Sequence, residues 1–159
     1  MTTKRRIAVL FGGRSPEHDV SVVTGLQALA AVDASAYDAF PVYISTDGDW
    51  FVGEPLRDRA NYLPDDYTRR ALTEVMLDSS GDGDGRLVPK KSGLFGRGTA
   101  TEFDAALLAF HGNQGEDGQI QGLFEMADIP YTGMRTLASA AFMDKSVTKR
   151  LLAGHDIPQ

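Results

Sequence analysis

Apolar residues fall in short blocks along this chain, and their spacing changes from block to block. Ile7-Ala8-Val9-Leu10-Phe11 is an unbroken apolar run, as expected of a central strand buried on both faces. Gly12-Gly13 ends it. Ser15-Pro16-Glu17 then reads as a helix entry, with Ser15 as N-cap, Pro16 at the first helical position and an acid just after it. Val22, Val23, Leu26, Leu29 and Ala30 follow at helical spacing. Residues 38–45 read as a second strand around Val42, Tyr43 and Ile44. Strand, helix, strand in that order predicts a right-handed βαβ unit.

The middle of the chain is less regular. Thr46-Asp47-Gly48-Asp49 is a turn, and Trp50-Phe51-Val52 reads as a short edge strand ended by Gly53-Glu54-Pro55. Residues 56–62 and 65–76 suggest two helical pieces. The stretch from Asp78 to Thr101 reads as a loop, because it holds six of the 17 glycines. Within it, Leu87-Val88-Pro89 and Gly93-Leu94-Phe95 suggest a small hairpin around Lys90-Lys91. Order returns at Ala105-Ala106-Leu107-Leu108-Ala109-Phe110, a buried strand. A helix follows with Ile120, Leu123, Phe124 and Ala127 on one face. Residues 129–132 form a short strand, and residues 136–142 and 144–154 are helical. The alternation predicts an α/β fold with an open, mostly parallel sheet and helices on both faces.

A chain of 159 residues suits one domain with a real core, and 42% hydrophobic with 24% charged residues suits a folded protein. No apolar run approaches the roughly 20 residues of a membrane span. The basic start followed by Ile7–Phe11 mimics a signal peptide, but the run stops at Gly12-Gly13-Arg14, so a first strand is the better reading. The lack of cysteine excludes disulfides and thiolate metal sites and points to the cytoplasm. A net charge of -6 argues against nucleic acid as the main partner.

In open α/β sheets ligands bind outside the carboxyl ends of the strands. Two loops leave strands at that edge, Gly12 to Asp19 and His111 to Gly118, and both mix glycine with ionisable side chains. Glu17, at a helix N-terminus, can hold an ammonium group, or it is a helix-start acid and nothing more. His111 can donate to a carboxylate or be oriented by Glu116, or it is a satisfied structural histidine. Glu116 and Asp117 can equally be caps of the second helix. Gly12-Gly13 is too short for a dinucleotide fingerprint, and Asp82 and Asp84 lack the later acid of a calcium loop. Lys145, Lys149 and Arg150 have the pattern of a solvated helix face.

Taken together, the segments Val9–Ser21, His111–Leu123, Ile129–Gly133, Ala138-Ser139-Ala140, Met143-Asp144-Lys145 and Thr148-Lys149 resemble D-alanine–D-alanine ligases of the ATP-grasp superfamily. The similarity is strong over residues 7–30 and 105–158 and only general between Thr46 and Thr101. It implies a Rossmann-like, pre-ATP-grasp domain over residues 1–142, with residues 143–159 starting the connection to an ATP-grasp domain. In that family ATP phosphorylates the carboxylate of one D-alanine, and the amino group of a second D-alanine attacks the acyl phosphate. Magnesium ions usually neutralise the phosphates, and the product is a peptidoglycan precursor.

The resemblance assigns Glu17 as the catalytic-site acid that binds the ammonium of the first D-alanine. It places Val20 against the substrate methyl group, with Ser21 supporting the helix start. It makes His111 the histidine facing the first substrate and Glu116 the acid that orients the site. Lys145 resembles the lysine that reaches the ATP phosphates. Implied partners are D-alanine, the ATP-grasp domains of the same protein and a second copy in a homodimer. Met134-Arg135-Thr136 depart from the small residue, often serine or cysteine, that many members carry there. A D-alanine–D-lactate or other D-amino-acid ligase therefore stays open as the specificity, and a non-catalytic binding module as the role. The resemblance also implies that a chain ending near Ile157-Pro158 lacks the segments for catalysis and is inactive alone.

Overall fold

The computed structural model describes residues 4–62, 71–80, 83–93 and 96–157. Its centre is β1 (Arg5–Gly12), which pairs in parallel with β2 (Tyr37–Ile44) on one side and β9 (Ala105–Leu108) on the other. An isolated parallel bridge from Ala106 to Tyr131 extends this part beyond β9. Val9, Leu10 and Phe11 are at most 1% exposed, which is why the apolar run needs no polar alternation. Val9 and Phe11 pack with Val22, Leu26 and Leu29 of α1 (His18–Ala31). Ala8 and Leu10 pack with Ile120, Phe124 and Ala127, the first two in α2 (Gln119–Met126). Helices therefore cover both faces, as the alternating pattern predicts. At Gly25 an added Cβ would sit 2.3 Å from the Phe11 ring, so α1 crosses β1 at a distance only glycine permits.

Beyond β2 the sheet continues through four antiparallel pairings that add β3 (Trp50–Val52), β4 (Thr73–Asp78), β5 (Gly85–Pro89) and β8 (Thr101–Phe103), in the order β8-β5-β4-β3-β2-β1-β9. Here the structure corrects several expectations. Trp50–Val52 (β3) is an interior strand between β2 and β4, not an edge. The helix expected over 65–76 is replaced at its end by strand β4 (Thr73–Asp78). Val75 is buried and Met76 half exposed, which is strand alternation. Residues 65–70 of that expectation lie outside the described residues. Residues 56–62 fall in two single 3-10 turns, Glu54–Arg57 and Arg59–Tyr62.

The expected loop from Asp78 to Thr101 contains β5 (Gly85–Pro89), β6 (Ser92–Gly93) and β7 (Gly96–Arg97), and it ends at β8 (Thr101–Phe103). Leu87-Val88-Pro89 pairs with Val75, Met76 and Leu77, not with Gly93-Leu94-Phe95. β6 instead pairs with β7, while residues 94–95 lie outside the described residues, as does Asp82. Gly85 sits in a strand because the Phe103 ring occupies the place of its Cβ, 2.4 Å away.

α1 starts at His18, later than the Ser15-Pro16-Glu17 pattern implies. Ser15 builds a separate turn: its carbonyl accepts from His18 N and its hydroxyl from Glu17 N. At the other end of the chain, α3 (Thr136–Met143) meets α4 (Lys145–Leu152) at Asp144, whose carboxylate caps Ser146 N and Val147 N. The Glu125 carboxylate of α2 accepts from Tyr131 Oη, Thr136 N and Arg135 Nε at 2.7, 3.2 and 3.3 Å, clasping α2 to the start of α3. The Tyr131 hydroxyl bond is the main reason its pKa falls to about 2.

Candidate functional site

The chain leaves β1 toward β2 on one side and later fills β9 on the other, so the sheet order reverses at β1. The loops after β1 and β9 diverge there, and a crevice at such a point is where open α/β sheets bind ligands. Ser21 holds the two loops in place. Its hydroxyl accepts from Gly12 N and donates to Ala109 O, each at 2.8 Å, in the fully buried interior. Ser21 therefore ties the two loops together and presents no surface to a ligand.

Gly112 brings the loops into contact. It has φ of 70°, and an added Cβ would lie 2.6 Å from Ser15 Oγ and 2.9 Å from Glu17 Oε2. Glu116 closes its own loop by accepting from Gly112 N at 2.6 Å. Asp117, just before the Gly118 N-cap of α2, accepts from Gln114 N, Gln119 N and Gln119 Nε2 and so braces the entry to that helix. Glu17 is different. It occupies the N-cap position of α1, yet its side chain makes no capping bond. The reading of Glu17 as a plain cap therefore has no hydrogen bond to support it.

One ligand atom each of Glu17, His111 and Glu116 lies within 4.8 Å of the others. His111 is half-buried and both acids are exposed. Neither acid forms an ion pair with a lysine or arginine among the described residues. Val20 lies one turn beyond Glu17 on α1 and is 53% exposed, available to an apolar group. A recess of about 300 Å³ opens beside these loops, lined in part by Gly13, Arg14, Trp50, Phe110, Gln114 and Ile120.

Lys145 is not part of this cluster. It opens α4, is exposed, and makes no hydrogen bond or ion pair among the described residues. Two residues that matter escaped the sequence reading. Thr24 Oγ1 lies 2.8 Å from His111 Nε2 and fixes that ring. It stands two helical turns after Glu17, on the face shared by Val20 and Ser21, a periodicity that could have revealed it. His18 is buried, with Nδ1 at 2.7 Å from Gly13 O and Nε2 at 3.1 Å from Tyr43 Oη, and so supports the glycine turn.

Fold and site define an open α/β domain that gathers two carboxylates and a histidine at its sheet reversal. Residues 6–134 match the model of the family described as D-ala D-ala ligase N-terminus, and the chain belongs to that family. It is 41% identical over 159 residues to the D-alanine–D-alanine ligase of Rhodococcus opacus strain B4, covering 98% of this chain and 42% of the relative. It is 42% identical over 164 residues to that of Bifidobacterium adolescentis, covering 98% and 41%. Among solved structures, the D-alanine-D-alanine ligase from Coxiella burnetii superposes with a TM-score of 0.81 at 27% identity, covering 99% of this chain and 43% of that one. The VanG D-Ala:D-Ser ligase from Enterococcus faecalis gives 0.76 at 29% identity, covering 99% and 44%. The chain thus spans about 42% of the length of the first of these curated relatives.

Proposed function

We propose that this chain provides the first-substrate site of an ATP-dependent D-alanine–D-alanine ligase that makes a peptidoglycan precursor in the cytoplasm. The observation that carries the reading is the Glu17 carboxylate, free of any capping bond and gathered with His111 and Glu116 at the sheet reversal. Glu17 holds the substrate ammonium, and Val20 contacts the methyl group. His111, fixed by Thr24, faces the substrate carboxylate and positions it rather than moving a proton. Glu116 acts through the backbone, holding Gly112 N and so the turn that carries His111.

Bound ATP with magnesium supplies the phosphoryl group that activates the first D-alanine as an acyl phosphate. Lys145 suits a phosphate oxygen, because it is an exposed cation with no partner among the described residues. The other nucleotide and magnesium ligands are assigned to the length that the relatives have beyond the match. The family resemblance also carries a homodimer as the assembly. The second amino acid is not distinguished by this site, since a D-Ala:D-Ser ligase shares the fold.

The test is titration of this chain with D-alanine, followed by the amide resonances of residues 12–24 and 111–118, with L-alanine as the control. Shifts confined to those loops, absent with L-alanine and lost in Glu17→Gln, are expected. Equal response to both enantiomers, or an unchanged response in Glu17→Gln, refutes the reading.

A further inference from the structure

We propose that Glu17, His111 and Glu116 form a binding site for a divalent transition ion of the zinc type, and that this ion competes with the substrate ammonium. The metal site stands on geometry alone; the competition rests on the functional reading above.

The donor set is one imidazole and two carboxylates, each offering an atom within 4.8 Å of the others. Zinc bonds to nitrogen and oxygen are about 2.0–2.2 Å, which puts donor pairs roughly 3.4 Å apart in a tetrahedron. The cluster needs only a short closure, and Glu17 can make it. Its carboxylate is exposed and holds no hydrogen bond among the described residues. Glu116 is already fixed: one oxygen accepts from Gly112 N, and the other remains for an ion.

His111 is prepared in the same way. Thr24 Oγ1 lies 2.8 Å from its Nε2. With the Nε2 proton donated to that hydroxyl, Nδ1 presents a lone pair. A metal-binding histidine characteristically has its other ring nitrogen held by such a second contact. The charge also matches, since two carboxylates and a neutral imidazole balance a dication, and no lysine or arginine neutralises either acid among the described residues.

The chemistry selects the ion. Magnesium and calcium favour all-oxygen shells of six or more ligands, whereas mixed imidazole and carboxylate donors favour zinc, cobalt or nickel. Three protein donors leave a position for water, so the ion stays exchangeable. The other described histidines do not offer this arrangement. His18 has both ring nitrogens engaged, and His155 lies outside the cluster. Because Glu17 serves both ligands, an ion here and an ammonium group exclude one another.

The test is calorimetric titration of this chain with zinc chloride, paired with cobalt substitution followed by visible absorption and by the His111 ring resonances. One equivalent is expected, with cobalt ligand-field bands and a shifted His111 ring. His111→Ala and Glu116→Gln should each weaken binding at least about ten-fold. D-alanine should raise the apparent Kd for zinc more than the same concentration of L-alanine does, the L-enantiomer giving the part due to chelation of free zinc by the amino acid. Absence of saturable zinc binding, binding unchanged in both variants, or cobalt shifts at His155 instead of His111 each overturns the site. The wild-type spectrum decides the matter even if a variant fails to fold. Titration with D-alanine alone separates the two readings. If D-alanine binds but does not displace zinc, the competition is wrong; if it does not bind, the functional reading fails while the metal site stands.

Discussion

Ser21→Ala is the sharpest perturbation of the framework that builds the site. The hydroxyl serves two backbone groups at once, accepting from Gly12 N and donating to Ala109 O at 2.8 Å, and the residue is fully buried. Alanine fits the space but leaves a buried N–H and a buried C=O without partners. Each such group costs about 1–3 kcal/mol, and the loss of the hydroxyl itself offsets part of this, so a destabilisation of about 2–4 kcal/mol is expected. For a domain of this size that corresponds to a fall in Tm of roughly 5–15 °C. Urea unfolding followed by the fluorescence of Trp50, the single tryptophan, is a direct assay. The midpoint should fall with an unchanged slope, because native compactness is preserved. D-alanine affinity should fall as well, since the bond holds the β1 loop to the β9 loop. A loss of stability below about 0.5 kcal/mol, the range of ordinary surface substitutions, refutes the claim that this hydroxyl ties the two loops.

Gly25→Ala should destabilise by about 1–3 kcal/mol through overpacking, because its Cβ would meet Phe11 Cδ1 at 2.3 Å and Phe11 Cβ at 2.6 Å. A thermal melt checks this, and an unchanged Tm would show that α1 can lift from β1. Gly112→Ala should weaken D-alanine binding more than it weakens folding. The residue lies at φ 70° with its added Cβ aimed at Ser15 Oγ and Glu17 Oε2. Equal affinity in that variant, measured by the same amide titration, counts against contact between the loops. Glu125 has its pKa lowered from 4.5 to about 2, chiefly by the Tyr131 hydroxyl. Its stabilising contribution is therefore complete above about pH 4.5 and lost as pH falls toward about 2. Urea midpoints across that window should fall less steeply in Glu125→Gln, and parallel curves would remove the clasp as a source of acid sensitivity.

The parallel half of the sheet was legible because burial on both faces leaves an unmistakable apolar run, at Ile7–Phe11 and again at Ala105–Phe110. The antiparallel half was not. Thr73 to Leu77 alternates, with Val75 buried and Met76 half exposed, but it follows Arg69-Arg70-Ala71-Leu72, which favours a helical reading. Gly85 was counted with the loop glycines, although its lack of a side chain serves the Phe103 ring on the neighbouring strand. That contact is 18 residues away in sequence and invisible locally. Strand order is equally non-local, so nothing in Trp50–Val52 announces that both its edges are paired. In the candidate site, the loops offered Glu17, His111 and Glu116 and the resemblance gave them roles; the structure brings the three side chains together. Thr24 was missed because a threonine inside a helix carries no chemical signal until its partner, 87 residues on, is in place.

The structural tasks at the β1 and β9 loops are divided among residues other than Glu17 and His111. Ser15 builds the turn before α1, Ser21 joins the loops, Asp117 braces the loop before α2 and Glu116 closes the glycine turn. Short acceptors such as serine and aspartate are the side chains that cap a helix N-terminus. Glu17 holds the position without making the bond. Its charge is left facing the histidine and the second acid. A side chain kept free of the nearest available hydrogen bond, at the reversal of a sheet, is poised for a ligand. The same freedom lets Glu17 serve either an ammonium group or an ion, and which of them it meets depends on concentration rather than on further construction of the site.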